Sequence, residues 1–186
     1  MIQRCHWCKG DPLYERYHDE EWGVPCYDDQ KLFEFVILEG AQAGLSWITV
    51  LRKRETYRQA FDGFCAEKMA RYSDKKIETL LTNPGIIRNR LKVQGAVKNA
   101  RAYLEIQERY HSFSDYLWQF SDGRVQKHCF ESPQQVPATS PVSDRMSKAL
   151  KKEGFSFMGS TICYAHMQAC GMVNDHLVSC HRYNQV

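Results

Sequence analysis

The chain has 186 residues, enough for one sizeable hydrophobic core, and its 43% hydrophobic and 25% charged residues are typical of a globular protein. No apolar run approaches the ~18 residues of a membrane span, and the amino terminus lacks the apolar segment of a signal peptide, so we expect a cytoplasmic protein with no membrane partner. The eight cysteines are then expected to be free thiols or metal ligands rather than disulfides.

The net charge of +3 is unevenly distributed along the chain. Residues 1–50 carry four Lys or Arg and nine Asp or Glu, residues 51–110 carry fourteen and seven, and residues 111–186 carry seven and six. The three net charges are therefore −5, +7 and +1. The basic middle segment indicates a surface for a polyanion, although a solvated helix face is the more common explanation of any single cluster.

Apolar residues recur at helical spacing along most of the chain, and no segment alternates as a strand does, so the sequence predicts an all-α fold. Cap and stop residues place predicted helices at 12–18, 28–39, 46–61, 73–82, 90–104, 115–120, 143–152 and 160–170, with a short helical turn at 174–180. The predicted helix 90–104 is expected to bury an apolar stripe that starts at Leu91. Prolines predict an irregular connection at 124–141.

The segment 33–47 contains the strongest candidate for a pocket. An apolar run ends directly at Glu39, and a carboxylate at the edge of a core is costly unless it has a partner, for which a cationic ligand is one candidate. Gly44 allows a ligand close to the backbone, Leu45 is expected to be exposed, and Trp47 offers a stacking surface. The pattern favours a pocket with an aromatic wall. A structural corner in which Glu39 caps a neighbouring element is the alternative.

The segment 83–90 predicts a tight turn between two helices. Around Gly85 and Ile86 such a turn would present backbone N–H groups near the start of the long helix, where the helix dipole favours an anion. Arg88 and Arg90 add positive charge. The pattern indicates a contact with phosphates, which carry no base sequence; an ordinary helix–helix corner with solvated arginines is the alternative.

Histidine and cysteine residues near the two ends of the chain could bind a metal. His176 and Cys180 are four residues apart, so a helical turn would place both on one face, and two further ligands would complete a tetrahedral structural zinc site. The candidates for these two ligands are Cys5, Cys8 and His18, with His181 as a further possibility. Because Cys5 and Cys8 also have a spacing that suits zinc, the residues alone leave the choice open.

Four motifs resemble a known enzyme family. Segments 17–25, 38–51, 85–88 and 161–164 read YHDEEWGVP, LEGAQAGLSWITVL, GIIR and TICY. They are similar to bacterial 3-methyladenine DNA glycosylase I, and the resemblance extends over essentially the whole chain. It implies an all-α helix-hairpin-helix fold.

The resemblance also implies an organisation of the chain. One globular unit would cover 1–186, with a helical core at 28–123 that contains the helix-hairpin-helix at about 74–105. The segments 1–27 and 124–186 would together form a terminal zinc-binding region. The implied cofactor is one structural zinc ion, and its ligands by matching position are Cys5, His18, His176 and Cys180.

The family's functional residues can be placed on this sequence by matching position. Glu39 and Tyr17 would be the catalytic groups, as the pocket carboxylate and a second hydrogen-bonding group, and Trp47 would stack on the base. Further lining aromatics would be Trp7 and Tyr14, and the DNA contacts would be Gly44, Leu45, Gly85, Ile86, Arg88 and Arg90.

The implied activity is the release of free 3-methyladenine from alkylated double-stranded DNA by a monomeric enzyme that first extrudes the damaged base. Methylation makes the base cationic, so Glu39 would attract it and the face of Trp47 would add about 0.5–2 kcal/mol. Water would then attack the sugar. The alternatives are a zinc-stapled module that binds damaged or bent DNA without cleaving it, and a metallohydrolase that uses the terminal metal.

Overall fold

Ten α-helices account for most of the chain in the computed structural model, which describes residues 2–186. They are α1 (Pro12–Glu20), α2 (Asp29–Gln42), α3 (Trp47–Leu51), α4 (Arg54–Ala60), α5 (Ala66–Met69), α6 (Asp74–Thr82), α7 (Arg90–Tyr110), α8 (Phe113–Trp118), α9 (Pro141–Lys152) and α10 (Ser160–Ala169). Short 3₁₀ turns cover His6–Cys8, Asp62–Phe64, Gln119–Ser121 and Pro133–Gln135. The prediction of an all-α protein is confirmed. Across residues 2–186, no helix combines the length and apolar character that a membrane crossing requires.

A single β-ladder is present within residues 2–186. It joins β1 (Gln126–Lys127) to β2 (Val173–Asn174), and the two strands run parallel. The prediction that the chain has no strand is therefore wrong at this point, because strands of two residues are too short to show an alternating pattern. The ladder holds the irregular segment after α8 against the carboxyl-terminal region.

Helix α2 lies at the centre of the fold. Its residues 32–41 are all buried, as expected for a helix that packs on every side, and it contacts α3, α7, α8 and α10. The Asp28 carboxylate caps it by accepting from the Lys31 backbone N–H at 2.7 Å. Since the helix runs to Gln42, beyond its predicted end, Glu39 lies in the last helical turn inside the core.

Several predicted helices differ from the helices of the structure. Helix α7 runs on to Tyr110 and α8 covers Phe113–Trp118, whereas the predictions were 90–104 and 115–120. The segment 46–61 divides into α3 and α4 rather than forming one helix. Helix α9 begins earlier than predicted, at Pro141, because Ser140 and Ser143 each accept from the other's backbone N–H, at 3.1 and 2.8 Å. The segment 174–180 contains the last residue of β2 and a turn instead of a helical turn.

Helix α7 packs against α2, α5, α6 and α8. Its buried face includes Val93, Ala96, Val97 and Ala100. Leu91, by contrast, is 68% exposed, so the prediction that it begins the buried stripe is wrong. Leu91 precedes Val93 by two residues, and residues two apart on a helix do not share a face.

The two ends of the chain lie side by side. The His181 backbone N–H donates to the Gln3 carbonyl at 2.8 Å. Gly171, with φ +73°, lies so close to Val24 that an added Cβ would come within 2.4 Å of the backbone. A side chain at position 171 would therefore push the amino-terminal segment away from the end of α10.

Candidate active site

A cavity of about 380 Å³ is lined by residues of α1, α2, α3, α10 and the turn His6–Cys8. This volume is within the usual range of small-molecule sites. The side chains around it include the aromatic residues Trp7, Tyr14, Tyr17, Trp22 and Trp47 and the polar residues Glu39 and Gln42. All five side chains that the sequence analysis placed in a pocket therefore line the same cavity.

The aromatic wall is a connected cluster. The ring centroids of Trp7 and Tyr14 are 4.8 Å apart, those of Trp7 and Trp22 are 5.0 Å apart, and those of Tyr17 and Trp47 are 5.5 Å apart with a tilt of 46°. Two of these residues, Tyr14 and Tyr17, are three residues apart on α1 and so share a face. Such packing gives the cavity a rigid apolar lining.

Glu39 lines the cavity and is only 2% exposed. Its Oε2 is 3.0 Å from Nδ1 of His166 on α10. No hydrogen bond from any residue in 2–186 reaches the other carboxylate oxygen, Oε1. Burial raises the pKa of the Glu39 carboxyl, and the charge and hydrogen bond of His166 oppose that rise. The carboxylate therefore faces the cavity and has one buried protein partner.

Sequence reasoning did not identify His166 as part of this site. The residue is completely buried. Burial lowers the pKa of its imidazole, but Cys170 and Glu39 outweigh that effect and raise the pKa well above its usual value. A single histidine in an apolar helix is more often a core residue, so the sequence offered no distinguishing signal. Gln42 was missed as well, although it follows Glu39 by three residues on α2 and so shares its face.

Tyr17 is 4% exposed and lines the cavity beside Trp47. Burial raises the pKa of its phenol well above the usual value, and the nearby Glu39 adds to the rise. The phenol therefore keeps its proton at neutral pH. A protonated phenol next to a carboxylate supplies the cavity with one hydrogen-bond donor and one acceptor.

The segment that follows α2 carries Gly44 and Leu45. Gly44 has φ +79°, a conformation that favours glycine, and Leu45 is 42% exposed. The Lys92 ammonium group donates to the carbonyls of Ala41 at 2.8 Å and Ala43 at 2.6 Å. It thereby satisfies carbonyls at the end of α2 and ties this segment to α7.

The turn between α6 and α7 is already rich in internal hydrogen bonds. The Gly85 backbone N–H donates to Asn83 Oδ1 at 2.8 Å, and the Ile87 N–H donates to the Tyr57 hydroxyl at 3.0 Å. Ile86 is 2% exposed, and its backbone N–H donates to the Asn83 carbonyl at 3.4 Å. These N–H groups are less available to an anion than the sequence suggested.

The two arginines of this turn differ in their partners. Arg90 forms hydrogen bonds to both carboxylate oxygens of Glu78, at 2.5 and 2.9 Å. Arg88 is exposed, and no residue in 2–186 forms a hydrogen bond or ion pair with its side chain. Gly85 has a packing role besides, because a Cβ there would lie 2.0 Å from the Thr56 methyl group.

Four buried side chains from the two ends of the chain form a group that could hold a metal ion. They are Cys5, His18, His176 and Cys180, whose ligand atoms all lie within 4.8 Å of one another. Cys180 Sγ is 3.4 Å from His18 Nε2 and 3.6 Å from His176 Nδ1, and Cys5 Sγ is 3.8 Å from His176 Nδ1. Tetrahedral zinc with ordinary Zn–S and Zn–N bonds requires S···N separations of about 3.6 Å.

Both histidine rings are oriented by a second hydrogen bond. His18 Nδ1 is 2.8 Å from the Asp19 carboxylate, which leaves Nε2 facing the group. His176 Nε2 is 3.0 Å from the Trp22 carbonyl, which leaves Nδ1 facing the group. Outer partners of this kind are typical of metal-binding histidines. His181 contacts Asp19 as well, at 3.0 Å, so it lies outside the four-residue group.

Cys8 is the candidate ligand that the structure leaves out of the group. Its thiol donates to the Cys5 carbonyl at 3.2 Å, and burial raises its pKa to about 11. A hydrogen bond from Cys5 lowers the pKa of Cys180, with further contributions from His176 and His18. The same contact raises the pKa of Cys5, so without an ion the pair favours one thiolate and one thiol, and a bound metal would displace the remaining proton. His176 and Cys180 do not lie on the predicted helical turn.

The whole chain is similar to known proteins. The family model described as methyladenine glycosylase matches residues 7–183. DNA-3-methyladenine glycosylase 1 of Escherichia coli (strain K12) is 50% identical over 179 residues, which are 96% of this chain and 96% of that protein. A crystal structure of 3-methyladenine DNA glycosylase I has a TM-score of 0.95 at 52% identity and matches 96% of this chain and 98% of that one.

A more distant structure carries information about a ligand. It is a single-residue variant of 3-methyladenine DNA glycosylase I in complex with 3-methyladenine, with a TM-score of 0.93 at 36% identity over 97% of both chains. The residues matched by the family model include Glu39, Trp47, the α6–α7 turn and three members of the cysteine–histidine group, His18, His176 and Cys180. The chain belongs to the methyladenine glycosylase family.

Proposed function

We propose that this protein is a DNA glycosylase that removes 3-methyladenine from alkylated double-stranded DNA by hydrolysing the N-glycosidic bond. The observation that carries the proposal is the buried Glu39 carboxylate in the wall of an aromatic cavity. Family membership supports it, because the E. coli relative is named for this activity and a structural neighbour binds 3-methyladenine.

Recognition of the base follows from its charge. Methylation at N3 makes adenine cationic while it is attached to the sugar. The free Oε1 of Glu39 attracts that cation, and the ring of Trp47, with Tyr17 at 5.5 Å, adds a cation–π contribution of about 0.5–2 kcal/mol. Normal adenine is neutral and gains neither contribution, so the same side chains provide affinity and selectivity.

The bond cleavage needs little chemistry from the protein. The damaged base is first extruded from the duplex into the cavity, at a cost of a few kcal/mol. As the glycosidic bond breaks, its electron pair passes to the base, which leaves as neutral 3-methyladenine, and the positive charge passes to the sugar carbon. Water adds to that carbon and releases a proton. Glu39 and Tyr17 hold the departing base by accepting and donating hydrogen bonds.

We propose that α6, the turn 83–89 and α7 form a helix-hairpin-helix element that contacts the DNA backbone. Arg88 is the main phosphate contact, because its guanidinium group is exposed and no described residue pairs with it. Arg90 contributes after exchanging its bond to Glu78 for a phosphate. Gly85 and Ile86 reach a phosphate through their N–H groups only after these leave their present acceptors on Asn83, and their packing holds the turn in place.

The second proposed DNA contact is the segment with Gly44 and Leu45. An exposed aliphatic side chain next to the cavity can enter the gap that an extruded base leaves behind, and a positive φ at Gly44 brings the backbone close to the strand. All of these groups belong to one chain, so we propose that the protein acts as a monomer.

We further propose that the cysteine–histidine group binds one structural zinc ion. Its S···N distances, its burial and the orientation of both histidines support this assignment. Four protein ligands complete a tetrahedral shell, which favours a structural role over a catalytic one. A bound ion would join the two ends of the chain behind the aromatic wall.

Release of the free base tests the proposal. The protein is incubated with methylated duplex DNA, and the supernatant is analysed for 3-methyladenine by chromatography. We expect release of 3-methyladenine in preference to unmodified adenine. A protein that binds the methylated duplex but releases no base at micromolar concentration would instead be a damage-binding module, and the proposed function would be wrong.

A further inference from the structure

We propose that His166 is a positioning residue for the glycosylase reaction: it holds one oxygen of Glu39 and thereby directs the other oxygen, ionised, into the cavity. This inference rests on the proposed function of the Glu39 cavity. His166 is not a catalytic residue, because it does not line the cavity; its neighbours Ala165, Gln168 and Ala169 do.

The first step of the argument is geometric. His166 Nδ1 lies 3.0 Å from Glu39 Oε2, and the two side chains are 0% and 2% exposed. The edge of the imidazole faces Phe35, with centroids 6.5 Å apart and planes at 82°. Both residues sit on helices that pack directly against each other, α2 and α10. The bond therefore joins two fixed elements and leaves the carboxylate a single orientation.

The second step concerns the cost of a buried charge. Glu39 lies in the last turn of α2, where the negative end of the helix dipole opposes a carboxylate, and burial opposes it too. Without a donor on Oε2 the group would take up a proton. A neutral carboxylic acid would no longer attract a cationic base, so the donor is needed for selectivity as well as for orientation.

The third step concerns the other groups that could donate a hydrogen bond to the Glu39 carboxylate. The titratable groups around the pair are Tyr17 on α1, Cys163 on α10, Cys170 directly after α10, and Lys151 on α9 beyond Cys163. The Cys163 thiol donates to the Met158 carbonyl, and burial with a smaller contribution from Glu39 raises its pKa to about 12. Within residues 2–186, only His166 donates a hydrogen bond to the Glu39 carboxylate.

Two substitutions separate the hydrogen bond from the imidazole. His166→Asn keeps a neutral donor near the position of Nδ1, and His166→Phe removes the donor. We expect kcat/KM for base release at neutral pH to fall by about 10- to 100-fold in His166→Phe and by less in His166→Asn. The acid limb of the pH profile, which reports ionisation of Glu39, should move to higher pH in the order wild type, Asn, Phe. Met167→Leu, a buried substitution on the same helix, should leave both unchanged.

A measurement that does not depend on activity keeps this inference separate from the proposed function. In protein labelled with ¹³C at the glutamate carboxyl carbons, the Glu39 signal, identified by its absence in Glu39→Gln, reports the Glu39 pKa directly. We expect that pKa to be higher in both His166 variants than in wild type. If wild type releases no base while this shift is present, the proposed function fails and the positioning role stands.

Two results would overturn the inference. One is a folded His166→Phe protein with base release within twofold of wild type, an unchanged acid limb and an unchanged Glu39 signal. The other needs no variant: in wild type at pH 7 the ¹⁵N signal of His166 Nδ1 must be that of a protonated nitrogen, and an unprotonated Nδ1 would exclude the donor that the role requires.

Discussion

Two buried polar clusters within residues 2–186 differ in whether they are closed. In the cysteine–histidine group all four ligand atoms face one another, and the two histidine rings are held from behind by Asp19 and the Trp22 carbonyl. In the cavity, Glu39 has one oxygen bound to His166 and the other open. A closed cluster can stabilise the fold but has no position left for a substrate. An open cluster leaves a buried polar atom without a partner, which lowers the stability of the protein, and a bound ligand can supply that partner.

The largest effect is expected from breaking the closed cluster. Cys180→Ala, or treatment with a chelator, should lower the melting temperature strongly, because a structural zinc site contributes folding energy directly. Cys8→Ala is the matched control, since Cys8 is equally buried but bonds only to the Cys5 carbonyl. It should leave the metal content unchanged, as measured by atomic absorption. An unaltered melting temperature in metal-free protein would contradict the structural role of this group.

The open cluster should respond in the opposite sense. Glu39→Gln should reduce base release by about 10²- to 10³-fold. This is the usual loss of rate when one group that stabilises charge in an active site is removed. Its melting temperature should stay the same or rise, because the substitution removes a buried charge with only one partner. The exposed Glu108→Gln on α7 controls for loss of a carboxylate elsewhere. A large fall in melting temperature would mean that Glu39 is chiefly a structural ion pair.

The pH dependence of stability distinguishes the two clusters further. In the folded protein the pKa of Glu39 and that of His166 are both raised, so the folded state holds protons that the unfolded state releases. The contribution of this pair is therefore fully present below the unfolded pKa of Glu39 and is lost as pH rises through the raised values. Relative to wild type, Glu39→Gln should gain stability as pH increases from about 5 to 9. Denaturant unfolding of both proteins across that pH range measures the difference between their free energies of unfolding. A difference that does not change with pH would contradict the raised pKa values of Glu39 and His166.

The helices could be predicted from the sequence more completely than the open cluster of Glu39 and His166. The buried run before Glu39 and the aromatic residues around it have local signals, and so does the cap at Asp28. The pairing of Glu39 with His166 spans 127 positions and depends on how α2 and α10 pack, which no local spacing encodes. The closed cluster was predictable from the residues alone only as a set of ligand types, and the resemblance to the family selected four of them. The structure adds the physical reason that Cys8 is left out, a thiol turned toward a backbone carbonyl.

The polar groups of the α6–α7 turn can also be sorted into those that have a partner and one that does not. Substitutions in this turn should have the smallest effects. Gly85 and Ile87 have acceptors for their N–H groups and Arg90 has Glu78, so Arg88 is the open cation of the turn. Arg88→Ala should weaken DNA binding several-fold at low salt and reduce the slope of log K against log salt by about 0.9. The loss should be the same for unrelated sequences.

Arg109→Ala is the matched control for this experiment, because Arg109 lies at the far end of α7 and pairs with Glu153. It should leave the salt slope unchanged. Arg90→Ala should fall between the two, since its bond to Glu78 must break before a phosphate can take its place. Fluorescence anisotropy of a labelled duplex at several salt concentrations measures all three slopes. If the salt slope of Arg88→Ala equals that of wild type, Arg88 does not contact the DNA. If Arg90→Ala has the larger effect, an ion pair in the free protein does not predict which arginine contacts the phosphate.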